Sequence, residues 1–489
     1  MCEKCGAKHN RIFGPLINAM NNNPKNIFPL KRRNFLKLTA SATAGYVLNP
    51  GLGWEKKELE MNNTKIRIKR VDSNFEREPL FPYRFKGGAI TECWQTVAML
   101  ESDSGVRKIG LGTQGVLWSD SRVAFGHSET GGHSLMFNVS EFALKLIEGQ
   151  SFTDPVQLLE DIYPEVYAYA SKITNLPDLR KTFALNALVC VDNAAWLLYA
   201  HEHGIDNFDE MVPDAYKQGL SARHDKVASI PSFATGTSID ELTEATDEGY
   251  FILKLKIGAA GTQEEMLEKD KQFLTAVHRA MQRYSTPYTA DGKIPYYFDA
   301  NGRYEKKETL ERLLDHARQI GAFDQIAVVE EPFDESNEEF VGDLGVRIAS
   351  DESAHTVEDA AERIEMGYTA FAVKGIAKTL SMTMKIAQLA YEHDVPCFCA
   401  DLTVNPILVE WNKNVAARLP AFPGISVGLQ EANGHQYYKN WDEMLSYHPM
   451  PDAPWVEPDK GVYHTEAPFY EHGGGIFAPL PHYEKLFEF

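Results

Sequence analysis

Eight short apolar runs, separated by helical patterns, occupy the stretch from about Lys226 to Glu431, and this alternation constrains the fold more than any other feature of the chain. The runs are VASIPSF (from Val227), YFILKLKIG (Tyr250), YYFDAN (Tyr296), IAVVEEPF (Ile326), RIASDES (Arg347), AFAVKG (Ala370), PCFCAD (Pro396) and GISVGLQE (Gly424). Between them lie amphipathic segments such as EEMLEKDKQFLTAVHRAM and TVEDAAERIEMG, the second opening on a helix cap at Thr356. Eight buried strands alternating with helices predict an α/β fold of the (β/α)8 TIM-barrel type. A doubly wound sheet is the other arrangement, but no G-x-G-x-x-G opens a helix after an early strand.

The barrel, residues 226–432, leaves more than half of the 489 residues to be placed. Ahead of it, residues 62–185 read as strands such as KIRIKRV and TVAMLES and helices such as VSEFALKLIEG, an α+β capping layer. Residues 433–489 are rich in Pro, Gly and aromatics, lack a helical period, and are expected to pack on that cap. An insert, Tyr284 to Pro295, precedes the third barrel strand and has no assignable role. A net charge of -20 argues against a nucleic-acid partner. No run of about 20 apolar residues predicts a membrane span. The six cysteines form no disulfide framework. Cys2 and Cys5 make a CxxC without a second pair, and Cys397 and Cys399, on one face of a strand, read as small buried residues.

The first fifty-five residues differ from the rest. KRRNFLKLTASATAGYVL (Lys31 to Leu48) resembles a twin-arginine export signal, with Ala42-Thr43-Ala44 as a small-residue cleavage site and Met20 as an alternative start. Export to the periplasm is therefore expected. The other reading is a disordered basic tail on a cytoplasmic protein.

Barrel enzymes place their chemistry at the carboxyl ends of the strands. Reading those ends gives Lys254 and Lys256, then Asp299, Glu330, Asp351 and Lys374 on five successive strands. In VVEEPF two adjacent carboxylates repel unless a cation or strong donors lie nearby. Three carboxylates from neighbouring strands offer oxygen ligands suited to a hard cation such as Mg2+. Taken singly, Asp299 reads as a turn residue, Asp351 or Ser353 as a helix cap and Glu331 as a solvated surface group. Jointly, and flanked by lysines, they point to a site. Lys254 and Lys256 share one face of their strand, and a pair of inward lysines is costly without a function.

KLKIG, DANG, VEEP, SDES and AVKG, in that order, resemble the barrel of the enolase superfamily, in its mandelate racemase and muconate lactonizing branches. ALNALVCVDNAAWLLYAHEHGI (Ala184 to Ile205) is similar to the helix those proteins carry before the barrel. The resemblance implies that Asp299, Glu330 and Asp351 bind Mg2+, with Glu331 an accessory neighbour and Asn301 a nearby polar group. It implies that Lys256 and Lys374 are acid/base residues on opposite faces of a small-molecule carboxylate, with Lys254 an electrostatic neighbour. A lysine serves as base only when its ammonium is destabilised, and a second cation beside the metal supplies that. The reaction would begin by removing the α-proton to give an enediolate, followed by racemisation, epimerisation or cycloisomerisation. Loss of water from an acid sugar is the lyase alternative, and an exported binding protein without turnover is the alternative outside catalysis. A homo-oligomer is expected.

The sequence departs from the mandelate racemase pattern at the seventh strand, which ends in Asp401 where that branch has a histidine. This favours the lysine–lysine arrangement of the muconate lactonizing branch. Lys378 is a rival to Lys374. The eighth strand ends in GLQEANGHQ, offering Glu431, Asn433 and His435 with Asp401 as substrate contacts. Related dipeptide epimerases carry an acidic residue near that position that meets a substrate ammonium, and the resemblance implies the same for Glu431. GHSETGGHSLMF (Gly126 to Phe137), with its glycines and two histidines, reads as a lid over the pocket or as a plain surface turn. His278 and His393 sit in helical patterns and read as structural.

Overall fold

The computed structural model describes residues 65–85 and 88–487. The export-signal segment and the Cys2–Cys5 pair lie outside the described residues.

The chain opens with a long antiparallel hairpin, β1 (Ile66–Phe85) and β2 (Gly88–Ser102), continued by β3 (Arg107–Thr113) and edged by β4 (Ser151–Phe152) in the order β3-β2-β1-β4. Three helices, Glu129–Ile147, Pro155–Thr174 and Lys181–Glu202, bury their apolar residues with this sheet in one core that includes Leu100, Met136, Ile162 and Leu188. Helix Lys181–Glu202 is long and apolar enough to cross a membrane, yet it is enclosed within the protein. It runs between cap and barrel: Phe183 and Leu188 face the cap core, while Trp196 and Leu197 join the core shared with the barrel. Gly110 permits the close approach of β3, since a Cβ there would stand 2.2 Å from the Cys190 carbonyl oxygen and the Ala194 nitrogen.

The barrel follows. Its strands are β5 (Lys226–Ile230), β6 (Ser232–Phe233), β7 (Leu253–Lys256), β8 (Tyr296–Asp299), β9 (Ile326–Glu330), β10 (Ile348–Ser350), β11 (Ala370–Val373), β12 (Cys397–Cys399) and β13 (Gly428–Glu431). The neighbours from β6 through β13 pair in parallel, and β13 pairs in parallel with β5. Because β5 and β6 are one strand interrupted at Pro231, which has no N–H to give to a ladder, the sheet closes into an eight-membered ring. A further strand, β14 (Val462–His464), runs antiparallel along β5.

The expected helices follow most strands, and Thr356 caps Val357–Glu365 in a capping box with Asp359. The alternation lapses once, between β9 and β10. There Asp334 and Asn337 bond the amides of Ser336 and Glu339, turns that compete with helix formation, and no helix intervenes. The 284–295 insert packs at the amino end of the barrel, where the Ala290 amide donates to Gly424 O (3.0 Å) and the Ser426 amide to Tyr288 O (2.9 Å). It is remote from the carboxyl-end loops. The C-terminal segment touches both layers. Asn74 Nδ2 donates to Leu486 O (3.0 Å) and His482 meets Glu76 (2.9 Å) on the cap strand β1, whereas Trp455, Phe469 and Ile476 join the core over barrel helix Pro406–Ala416.

Candidate active site

Strand register places the charged residues. Lys256 pairs with Asp299, Asp299 with Glu330, and Glu330 with Ala349, two residues before Asp351. In parallel strands such paired positions put their side chains beside one another on the same face. Lys254, Lys256, Asp299, Asn301, Asp351, Lys374, Asp401, Glu431 and Asn433 all line one cavity of about 190 Å3 at the barrel mouth.

Lys254 is the hub. Its Nζ lies 3.0 Å from Asp299 Oδ2, from Glu330 Oε1 and from Glu431 Oε2. Burial alone would drive the ammonium toward neutrality, but the three carboxylates overcome it and hold the group well above its ordinary pKa. Lys254 is therefore a fixed cation. Lys256 donates to Asp299 Oδ2 and, at 2.9 Å, to Asn301 Oδ1. Asn301 adopts a left-handed backbone (φ 45°), which lets its amide donate to Asp299 Oδ1 (2.9 Å) while its Nδ2 donates to Glu352 Oε1 (3.1 Å).

Across the cavity Lys374 donates to Asp351 Oδ2 (2.7 Å), and the Trp118 ring of the cap lies 4.4 Å from its Nζ. Trp118 Nε1 also donates to Asp351 Oδ2 (3.3 Å). Burial disfavours the Asp351 charge, but Lys374 and Lys378 outweigh it and hold the carboxyl below the usual carboxylate range. For Lys374 burial again works against the charge and Asp351 outweighs it, leaving its pKa raised. Lys378 is buried but does not line the cavity. It donates to the backbone oxygens of Asp351 (2.5 Å) and Ala354 (3.1 Å), bracing the loop after β10.

The two glutamates of VEEP diverge. Glu330 receives Lys254 on one oxygen and the Tyr297 hydroxyl on the other. Glu331, also left-handed (φ 39°), turns back so that Oε2 accepts from the amides of Asp351 (2.7 Å) and Ser353 (3.3 Å). Burial, followed by the Glu352 charge, pushes its carboxyl up to about 7. It is a bracket for the next strand end.

The tightest carboxylate group is Glu330, Asp351 and Glu352, with ligand atoms within 4.8 Å of one another. Asp299 falls outside that group, drawn to the two lysines of β7. The donors fit a hard divalent cation: they are all oxygen, all buried, and Asp351 Oδ1 accepts no hydrogen bond.

The remaining expected contacts divide. Glu431 faces the cavity, with Oε2 accepting from Lys254 and from the Asp401 amide (2.9 Å). Asp401 lines the wall, but its carboxylate accepts from the amides of Leu402 (2.7 Å) and Asn433 (2.8 Å), so it clamps two loops together. Burial, then Glu431, pushes it up to about 7. His435 is not brought to the cavity. It stacks on Tyr250 (6.4 Å) and lies edge-on to Trp441.

The Gly126 to Phe137 segment is neither a lid loop nor a plain turn. Ser128 caps helix Glu129–Ile147, so Gly131 and Gly132 are helical, and Gly132 packs against Val116. His133 reaches the cavity wall with Nδ1 3.0 Å from the Gln114 amide, while His127 is exposed and does not line it. Burial pushes His133 down to about 4, so it is neutral at physiological pH.

Trp118, Tyr297 and Glu352 were not anticipated from sequence. Tyr297 carried a signal, since it stands two residues before Asp299 and shares its face. Trp118 carried none, being 233 residues from the carboxylate it bonds.

The family model described as enolase C-terminal domain-like matches residues 238–457. No curated protein matches the chain. Among solved structures, a mandelate racemase/muconate lactonizing protein from Herpetosiphon aurantiacus superposes with a TM-score of 0.57 at 12% identity, over 81% of this chain and 95% of its own. A dipeptide epimerase from Enterococcus faecalis V583, complexed with Mg and L-Leu-L-Tyr, gives 0.55 at 17% identity over 81% of this chain and 100% of its own. The L-Ala-D/L-Glu epimerase of Bacillus subtilis gives 0.54 at 16% identity over 76% and 91%. The chain thus has the capped-barrel fold of these structures, and residues 238–457 match the enolase C-terminal domain-like family.

Proposed function

We propose that the chain is an enzyme, a Mg2+-dependent racemase or epimerase that removes the proton from the carbon beside a carboxylate and returns one on the opposite face. One observation carries this reading: Lys256 ends the second strand of the ring and Lys374 follows the sixth, so two amines face one cavity from opposite sides. The like-folded solved structures include three epimerases, which favours the racemase or epimerase outcome over ring closure or loss of water.

Glu330 and Asp351, with Asp299 or Glu352, would hold the metal. Bound there, a hard divalent cation supplies positive charge where the second negative charge of the enediolate develops. Lys256 would take the α-proton on one face and Lys374, whose ammonium Asp351 stabilises, would deliver a proton to the other; starting from the opposite stereoisomer the roles would exchange, which requires that a cation held at Asp351, with the fixed charge of Lys254, offset the carboxylate that raises the Lys374 pKa. Asn301 and Asp299 fix the Lys256 amine, Asp351 and Trp118 fix that of Lys374, and Lys254 supplies a permanent charge beside the reacting carboxylate. The cap segments over the mouth exclude water from the intermediate.

The test is α-proton exchange in D2O with the Mg2+-loaded protein, followed by proton NMR and chiral chromatography. Wild type is expected to incorporate deuterium with inversion. Lys256→Ala and Lys374→Ala should each lower racemisation by about 100-fold or more, each abolishing exchange from a different stereoisomer. Exchange indifferent to both substitutions, or loss of water in place of inversion, would sink the proposal.

A further inference from the structure

We infer that the substituent reaching from the substrate's α-carbon into the cap is bulky, apolar and without negative charge, so that the substrate is a carboxylate with an aliphatic or aromatic side chain. This rests on the reading of the cavity as the active site.

The cations of the cavity gather at one end. Among the described residues lining it, the lysine and arginine cations are Lys254, Lys256 and Lys374, all at the barrel end and all engaged with carboxylates. The opposite wall is built from Ile90 of the hairpin, Val116 and Leu117 of the next helical turn, Phe125, and Leu402 from the loop after β12. These segments are packed closely. A Cβ on Gly88 would stand 2.9 Å from Leu117 Cδ2 and 3.0 Å from Phe125 Cε1, and one on Gly115 would stand 2.6 Å from Leu402 Cδ1. Yet Phe125 is 60% exposed, a large apolar side chain left open at the rim of a lined cavity.

The polar groups of this wall are already taken. The Glu129 carboxylate accepts from the Thr91 amide and hydroxyl (2.6 and 2.7 Å), and Glu92 accepts from Arg77 and Trp94. His133 is occupied with Gln114 and uncharged at neutral pH. A second carboxylate on the substrate would lose its hydration beside Glu92 and Glu129, and among the described residues lining this wall there is no cation to meet it. A polyol would bring hydroxyls to a surface with few unengaged partners. An apolar side chain gains by leaving water.

The experiment compares four probes with the Mg2+-loaded protein in D2O: L-Ala-L-Leu, L-Ala-L-Phe, L-Ala-L-Glu and galactarate. The leucyl and phenylalanyl peptides are expected to exceed the other two in kcat/KM for α-proton exchange by about tenfold or more. Leu117→Arg should reverse the order by placing a cation on this wall, and Phe125→Arg, at an exposed position, does the same should the buried substitution fail to fold. A wild-type preference for the glutamyl peptide or galactarate overturns the inference. Should no probe exchange, the proposed reaction fails while the inference is decided by binding, read from quenching of tryptophan fluorescence. Tighter binding of the two apolar peptides sustains it; equal or weaker binding, or none by any probe, overturns it.

Discussion

The two ends of the cavity are built on different principles. At the barrel mouth every lysine is held by partners from other strands or loops: Lys254 by Asp299, Glu330 and Glu431, Lys256 by Asp299 and Asn301, Lys374 by Asp351. On the cap wall, Ile90, Leu117, Phe125 and Leu402 come from four separate segments and make no polar contact with one another. On the proposed reading, chemistry would reside where register dictates neighbours, and selectivity where segments meet by packing, a place where one side chain can be exchanged without dismantling a network.

The largest stability effect that tests this contrast belongs to Lys254→Met. It removes the shared cation from three buried carboxylates, and breaking a buried charge cluster costs about 3–5 kcal/mol. Thermal unfolding of the metal-free variant should show the full loss, and added Mg2+ should raise its Tm more than it raises that of wild type, since the metal then meets charge left unneutralised. Phe125→Ala, by comparison, should shift stability by no more than about 0.5 kcal/mol, because the ring is already exposed. Equal effects at the two positions would erase the distinction.

A smaller effect lies at the seam between the layers. Asp192, on helix Lys181–Glu202, accepts from the Oγ (2.5 Å) and amide (3.1 Å) of Ser381, at the start of barrel helix Leu380–Glu392. Burial pushes its carboxyl up to about 7 from an ordinary 3.8. The folded protein therefore keeps a proton that the unfolded chain releases first. Its contribution to stability is complete below the unfolded value and is lost as pH rises toward the folded one, a change of a few kcal/mol at most, roughly 1.4 per unit. Asp192→Asn should remove this dependence. Denaturant unfolding near pH 8 is expected to favour the variant, with the advantage vanishing near pH 4; parallel wild-type and variant curves would show that Asp192 does not couple the layers this way.

What could be read from the chain follows the same division. The eight strands and the convergence of Lys254, Lys256, Asp299, Glu330, Asp351 and Lys374 were legible, because period-two alternation and parallel pairing map sequence directly onto neighbours. The lapse between β9 and β10 was missed because turn-forming side chains override the expected alternation. His435 was misplaced because it stands four residues past the strand end at Glu431, where a short helix, Gly434–Tyr437, has replaced the strand period and turns it toward Tyr250 and Trp441. The glycines of Gly126 to Phe137 suggested a lid or a plain surface turn, whereas Ser128 starts a helix in which Gly132 packs against Val116.

Trp118 is where the contrast itself is open to challenge, because it is a cap residue that enters the polar centre. Its ring lies 4.4 Å from Lys374 Nζ and its Nε1 donates to the same Asp351 oxygen that receives Lys374. Trp118→Phe keeps an aromatic face but removes the donor and weakens the cation–π attraction, a loss of about 0.5–2 kcal/mol. If the cap positions the acid/base amine, kcat should fall by about 3- to 30-fold with little change in KM. The loss should also be unequal for the two stereoisomers, because only the direction in which Lys374 acts as base has that amine in the proton-abstraction step. A symmetrical loss, or a change confined to KM, would return Trp118 to the apolar wall and leave the mouth to the barrel strands alone.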